Sequence, residues 1–383
     1  MINKNKTWQR KFSRVRCIHY IIVTLGIMWI MMNGWNGEIC EAASFQTNTV
    51  YGVMSTAVKD NVVITWEPLK NADGYRLYEA EGKNKYRLVC QTKNCKVILR
   101  KKEKGITYRY YVKAYKQSGN TKVYSKISKK VSTTVPERGK STIKNFLQTA
   151  IAPMGTTMYV WGGGWNKEDT AAGREARRTG LSSSWRKFAK GKTSSYDYKN
   201  YRYQIHDGLD CSGYVGWCVY NVMNTKNDQE GYVLSASNQA KAFARMGMGT
   251  YRSASKITDY KPGDIMSSTC SCCGHVWIVI GQCDDGSVVL VHASPPGVQI
   301  CGTTTPEGAK NSQAYALAKK YMKKYYKSWY NKHPDVSRNV SYLSHYGQMR
   351  WTVRGRDCVL SDPDHYRKMS AEEVLADLFS IVN

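Results

Sequence analysis

From Thr47 to Thr134 the chain is cut into short runs of alternating apolar and polar residues, each closed by turn residues, and this pattern confines its first third to β structure. Val62-Val63-Ile64-Thr65-Trp66, Tyr75-Arg76-Leu77-Tyr78, Tyr86-Arg87-Leu88-Val89, Lys96-Val97-Ile98-Leu99, Tyr108 to Tyr115 and Val123 to Val131 read as strands. Asn71-Ala72-Asp73-Gly74, Glu81-Gly82, Lys104-Gly105 and Ser118-Gly119-Asn120 supply the turns. Roughly seven short strands in about 90 residues is the pattern of an all-β sandwich. Nothing in this stretch carries catalytic chemistry.

Ile64-Thr65-Trp66-Glu67-Pro68 followed by Ala72-Asp73-Gly74-Tyr75, and Gly105-Ile106-Thr107-Tyr108 leading into Val112-Lys113-Ala114-Tyr115, resemble a fibronectin type III domain over residues 47–134. The resemblance implies that Trp66 is a core residue and that Tyr108 closes a corner. Val135-Pro136-Glu137-Arg138-Gly139 reads as a linker.

Residues 1–43 read as a secretory signal. A basic stretch (Lys4, Lys6, Arg10, Lys11, Arg14, Arg16) precedes an apolar run from Ile21 to Met32, with small residues at Ala42, Ala43 and Ser44. Twelve apolar residues make about 18 Å of helix against a hydrocarbon core of about 30 Å, so an uncleaved anchor is the weaker reading. The expectation is a secreted or cell-wall-associated protein with no stable membrane span after signal cleavage. The whole chain carries 57 Lys+Arg against 29 Asp+Glu, a formal +28; removing the signal takes away six basic and two acidic residues and leaves about +24. Such a field favours polyanions, and export makes anionic cell-wall polymer a more natural partner than nucleic acid.

Beyond Ser141 the pattern becomes helical over Ile143 to Ile151, followed by Tyr159-Val160-Trp161-Gly162-Gly163-Gly164 and then Leu209-Asp210-Cys211-Ser212-Gly213-Tyr214. Val215, Cys218, Val219 and Val222 recur at helical spacing, which puts Cys211 in the first turn of a helix. The positive end of the helix dipole and unpaired amides there favour a thiolate, so Cys211 is placed as a nucleophile. Cys218 faces the core.

A nucleophilic cysteine needs a base. His275 opens Val276-Trp277-Ile278-Val279-Ile280, and His292 ends Val288-Val289-Leu290-Val291; Gly281 to Ser287 between them reads as a hairpin loop. Folding the strands back at that loop brings the histidines near each other, within a couple of residues of register. The other five histidines fall in the signal (His19), beside the nucleophile segment (His206) or in the tail (His333, His345, His365).

Tyr159-Val160-Trp161-Gly162-Gly163, Asp210-Cys211-Ser212-Gly213, Lys261-Pro262-Gly263-Asp264-Ile265, Gly274-His275-Val276 and Val291-His292-Ala293-Ser294 follow the order found in NlpC-type cell-wall cysteine peptidases, which the chain resembles over residues 143–301. The family is papain-like and mostly cleaves the γ-D-glutamyl–diamino acid bond of peptidoglycan stem peptides. The resemblance implies Cys211 as nucleophile, His275 as base, His292 as the residue orienting the imidazole and Tyr159 as an aid to the oxyanion. It implies Asp210 and Ser212 as lining for the stem peptide. Trp277 stands where the family often has a smaller residue, which would narrow the cleft. The fold expected is therefore multidomain, a fibronectin-like sandwich followed by an α+β papain-like cysteine peptidase domain over 141–302. No cofactor and no metal is expected; peptidoglycan is the expected partner. The rival readings are a cell-wall amidase of the related cysteine–histidine group and an inactive wall-binding or adhesive protein.

Three features depart from the family. Residues 165–208, rich in Arg, Lys, Ser and Tyr, replace a short loop and form either a solvated excursion or a wall of the substrate cleft. Cys270, Cys272 and Cys273 lack the C-x₂₋₄-C rhythm of structural zinc, which favours loop thiols or a disulfide, while Cys90 and Cys95 flank a turn and form the better disulfide pair. Residues 303–383 form an extension expected to pack on the catalytic domain: Ala314, Leu317, Ala318, Tyr321, Tyr325 and Trp329 give an apolar helix face, and Ser370-Ala371-Glu372-Glu373 a capping box.

Overall fold

The computed structural model describes residues 44–82, 85–137, 141–223, 231–269, 274–355 and 358–380. The expected export signal and Cys270, Cys272 and Cys273 lie outside the described residues. No helix among the described residues is long and apolar enough to cross a membrane.

The first part is a two-sheet β-sandwich of eight strands: β1 (Met54–Val58), β2 (Asn61–Thr65), β3 (Gly74–Ala80), β4 (Tyr86–Thr92), β5 (Lys96–Leu99), β6 (Thr107–Ser118), β7 (Thr121–Tyr124) and β8 (Val131–Thr134). One sheet runs β1-β2-β5; the other runs β4-β3-β6-β7, with β8 also on β6. Val62, Ile64, Trp66, Leu77, Tyr110, Val112 and Ala114 fill the space between them, the inward set that the alternation requires. Trp66 packs 5.5 Å from the Tyr75 ring, and the Tyr108 hydroxyl accepts from Glu103 N at 3.1 Å, closing the turn before β6.

The run read as one strand from Val123 to Val131 is two. Between β7 and β8, Ala114 N donates to Ser125 Oγ (3.0 Å) and Val112 N to Ser128 Oγ (2.9 Å). Side-chain oxygens thus take over where the ladder lapses. Strand β1 went unread because its polar positions, Ser55 and Thr56, interrupt the apolar alternation. Cys90 and Cys95 are free; Cys90 lies on β4 of one sheet and Cys95 directly before β5 of the other.

The rest of the chain is α+β. In chain order it forms β9 (Ser141–Thr142), α1 (Ile143–Ile151), β10 (Met158–Tyr159), α2 (Ser183–Lys190), β11 (Gly208–Leu209), α3 (Cys211–Val222), α4 (Gln239–Arg245), β12 (Gly249–Arg252), β13 (Ile265–Ser268), β14 (Val276–Gln282), β15 (Val288–Ser294), β16 (Gly297–Thr303), α5 (Gln313–Tyr325), α6 (Lys327–Lys332), β17 (Ser337–Arg338), α7 (Ser341–Ser344), β18 (Tyr346–Trp351), β19 (Leu360–Ser361) and α8 (Ala371–Phe379). The main sheet runs β11-β10-β16-β15-β14-β13-β18-β12, with β17 beside β16. Strands β14 to β16 are buried at nearly every position, because helices cover both faces. Gly302 on β16 illustrates the close approach: a Cβ there would collide with the Ala314 backbone of α5.

Residues 303–383 do more than pack on this domain. Strand β18 lies between β13 and β12, hydrogen-bonded to both, so the segment supplies an interior strand of the sheet. The apolar helix face is also broken: α5 ends at Tyr325 and Trp329 belongs to α6. The capping box at Ser370 and Glu373 is present.

Candidate active site

The start of α3 is built by its own sequence. Asp210 is the N-cap: its Oδ1 accepts from Gly213 N at 2.7 Å and from the Ser212 hydroxyl at 2.9 Å, and its Oδ2 accepts from Gly162 N at 3.2 Å. Gly213 has no room for a side chain, since a Cβ would collide with the Gly163 carbonyl. The Trp161–Gly164 loop therefore lies directly on the first helical turn, and Trp165 Nε1 donates to Ser212 Oγ at 3.0 Å. Asp210 and Ser212 were expected to line a ligand pocket. Both are buried and their polar atoms are bonded within the protein, so in this structure they brace the helix start.

Cys211 is the first residue of α3 and is 6% exposed. Its Sγ lies 4.0 Å from the Gly274 carbonyl, and the Val276 amide is near enough to favour its charged form, so the thiol sits against the residues flanking His275. The β14–β15 hairpin then joins the two histidines. Ile278 faces Val291 in the ladder, and His275 Nε2 lies 2.9 Å from His292 Nδ1. His275 is half-buried and His292 completely buried.

Tyr159 ends β10, 7% exposed, close enough to feel the Cys211 charge; burial above all pushes its hydroxyl far above the ordinary range. Residues 165–208 hold it from behind: Tyr196 Oη donates to the Tyr159 carbonyl at 2.7 Å, and the Tyr198 ring stands edge-on to Tyr159 at 5.3 Å. Trp185 of α2 is buried edge-on against Trp217 of α3. Through these residues the stretch packs beside the site, while much of the rest of it is exposed. Trp277 has no exposed surface; its ring packs 5.9 Å from Tyr342 and 5.7 Å from Tyr346. It supports the site from within the core and offers no face to a ligand.

The sequence reading missed four residues around the histidine pair. Arg338 of β17 donates from Nε to His292 Nε2 at 3.3 Å, and Cys301 Sγ of β16 lies 3.4 Å from the same nitrogen. The Tyr342 ring lies 5.8 Å from His275 and 6.0 Å from His292, and Tyr346 lies 6.4 Å from His275. Cys301 marks the end of the recognised motifs, and the other three lie beyond it, where no local pattern announces them.

Burial dominates the electrostatics. It pushes the Cys211 thiol up to about 12, helped by the Asp210 carboxylate and opposed by the amides of Val276, Ser212 and Cys211 itself. It pushes His275 down to about 3, with the Arg338 charge adding to the effect, and it holds His292 well below the ordinary range, with Arg338 and His275 adding to the effect. Asp210 is raised to about 6 by burial, against its three hydrogen bonds. Burial thus opposes the thiolate that the helix dipole favours and supports the neutral forms of the thiol and both imidazoles.

No family model matches the chain, and no curated protein matches it. Solved structures similar to part of it are fibronectin type III domains and related folds. The structure of an FN3tt mutant is 15% identical and covers 23% of this chain and 96% of its own, with a TM-score of 0.21. A solution structure of a human fibronectin type III domain is 18% identical, covering 24% of this chain and 74% of its own, with a TM-score of 0.20. A myokine structure is also 18% identical, covering 24% and 98%, with a TM-score of 0.20.

Among the described residues, no group of three or more His, Cys, Asp or Glu is placed to hold a metal ion. What converges is a thiol at a helix start, an imidazole pair, a buried phenol and the Cys211 backbone amide. That set has the parts for attack on an amide carbonyl.

Proposed function

We propose that the chain is an exported cysteine hydrolase of peptidoglycan stem peptides, acting at the D-glutamyl–diamino acid bond, with the N-terminal sandwich as a fibronectin-type spacer or docking module. The observation that carries the reading is the 2.9 Å pairing of His275 Nε2 with His292 Nδ1 beside a helix-start thiol. The substrate class rests on the motif resemblance over residues 143–301.

In this scheme Nδ1 of His275, the nitrogen turned away from His292, takes the Cys211 proton as Sγ bonds to the scissile carbonyl carbon. The Cys211 N–H and Tyr159 O–H stabilise the oxyanion; donors of this kind are typically worth about 3–4 kcal/mol each. The amine leaves with the proton from His275. Water, deprotonated by the same imidazole, then hydrolyses the thioester and returns the thiol.

The test is mass spectrometry of peptidoglycan digested by the purified protein under reducing conditions, beside Cys211→Ala. Release of free diamino-acid peptides by the native chain alone supports the reading. Release of whole stem peptides from the sugar identifies an amidase instead, and equal inactivity of both proteins leaves a binding protein.

A further inference from the structure

The contact between Arg338 and His292 decides where protons sit in the candidate active site. A guanidinium has N–H donors and no acceptor, so the Nε2 that receives Arg338 Nε at 3.3 Å carries no proton. Neutral His292 then holds its proton on Nδ1 and donates it across 2.9 Å to His275 Nε2. Neutral His275 in turn carries its proton on Nδ1. That is the nitrogen a Cys–His mechanism needs empty to receive the thiol proton.

We propose that Arg338 is a positioning residue that locks both histidines in the Nδ1–H form and so holds the site in a restrained resting state. The inference rests on the reading of Cys211 and His275 as nucleophile and base, and adds a regulation of that site. The competent arrangement has the same number of protons: both rings shift from Nδ1–H to Nε2–H by exchange with water, His275 donates to His292 Nδ1, and His275 Nδ1 is free. Arg338 must leave His292 Nε2 for this to occur.

The described neighbours of the pair bear on the lock. Cys301 shares the His292 Nε2 side at 3.4 Å. Tyr342, paired with Arg338, and Tyr346 cover the rings from α7 and β18. Asp335, at 3.5 Å from Arg338, is the guanidinium's acidic partner, and Cys211 of α3 lies against the Gly274 carbonyl, next to His275 in the chain. Arg338 itself is only 11% exposed at the side chain, so its charge acts where water screens little. It stands on β17, which pairs parallel to β16 through Ser337 and Arg338.

The test uses the full chain with ¹⁵N-labelled histidine, and Cys211 alkylation by iodoacetamide mapped by mass spectrometry. In the wild type, His292 shows an unprotonated Nε2 and His275 an unprotonated Nε2. In Arg338→Met both rings shift to Nε2–H, and alkylation of Cys211 at pH 7 rises about tenfold, the equivalent of one unit in thiol pKa. Cys301→Ala keeps the wild-type ring spectrum. A protonated His292 Nε2 in the wild type overturns the proposal, and that spectrum decides alone if Arg338→Met does not fold. An Arg338→Met variant with either readout unchanged, or a tautomer switch in Cys301→Ala, also overturns it. None of these readouts uses a wall substrate. Expected spectra without muropeptide release from wild type or Arg338→Met would therefore refute the peptidase reading and leave the lock standing.

Discussion

Replacing Asp210 by Asn separates the two things this residue does at the start of α3. The side chain caps the helix through Gly213 N and holds the Gly162 loop, yet it is 8% exposed and its carboxyl is raised from 3.8 to about 6. Below pH 3.8 the group is protonated in folded and unfolded chains alike. Between 3.8 and 6 the unfolded chain releases its proton while the folded chain keeps it, so stability falls as pH rises. Above 6 the full penalty of the buried charge remains. Two units at about 1.4 kcal/mol each give about 3 kcal/mol. Asp210→Asn does not titrate and escapes this, but its amide nitrogen faces the Gly162 N–H, at a cost of about 1–3 kcal/mol that is largely independent of pH. The variant is therefore less stable than the wild type near pH 3.5 and level with it or better at pH 7.5, the gap closing by about 3 kcal/mol between those values. Urea unfolding followed by tryptophan fluorescence across that range measures the difference, with Trp185 and Trp217 reporting from beside the site. A stability difference that stays flat with pH would refute the claim that the capping carboxylate is held charged against its burial.

Three further outcomes follow from the same geometry. His275→Ala is expected to abolish muropeptide release as completely as loss of Cys211, because nucleophile and base act as a unit, whereas His292→Ala lowers turnover less; both are read from digestion rates. Retention on intact walls should fall as salt rises, since a net charge of about +24 acts through exposed contacts screened over about 8–10 Å, while turnover of a small soluble stem peptide changes little. Arg186→Met leaves Glu67 buried without its partner and is expected to cost about 3–5 kcal/mol, whereas Arg186→Met with Glu67→Met restores most of that; a denaturation double-mutant cycle checks the pair.

The parts of the site that the sequence made legible are those whose geometry is local. Asp210-Cys211-Ser212-Gly213 announces a helix start because the cap and the first turn lie within four residues. His275 and His292 meet because one hairpin connects them. Arg338 reaches His292 from 46 positions away through a parallel pairing of β17 with β16, and no periodicity carries information over that span. The same holds for β18, whose place between β13 and β12 depends on strand order rather than pattern. The environment of Cys211 is illegible for a related reason. A helix start is visible in sequence, but the loop, strand and wall that exclude water from it are assembled from distant segments, and burial is the larger effect.

Residues 165–208 tie the sandwich to the wall of the site. Arg186 of α2 reaches Glu67 at 2.6 Å and lies 4.5 Å from the Tyr51 ring. Two residues on, Phe188 packs edge-on to Tyr196 at 6.2 Å, and Tyr196 holds the Tyr159 carbonyl. Burial raises the Glu67 carboxyl despite its arginine, so the ion pair adds little net stability and acts mainly to fix where the sandwich sits. Asn145 makes the second tie, accepting from Thr134 N at 3.0 Å and donating to the Thr134 carbonyl at 2.8 Å across the junction of β8 and α1. These attachments come from different segments, and Gln148 Nε2 adds a bond to Ser132 Oγ at 2.8 Å. The sandwich also reaches the helix side of the site, since Met54 of β1 belongs to the same buried cluster as Tyr214 and Trp217 of α3.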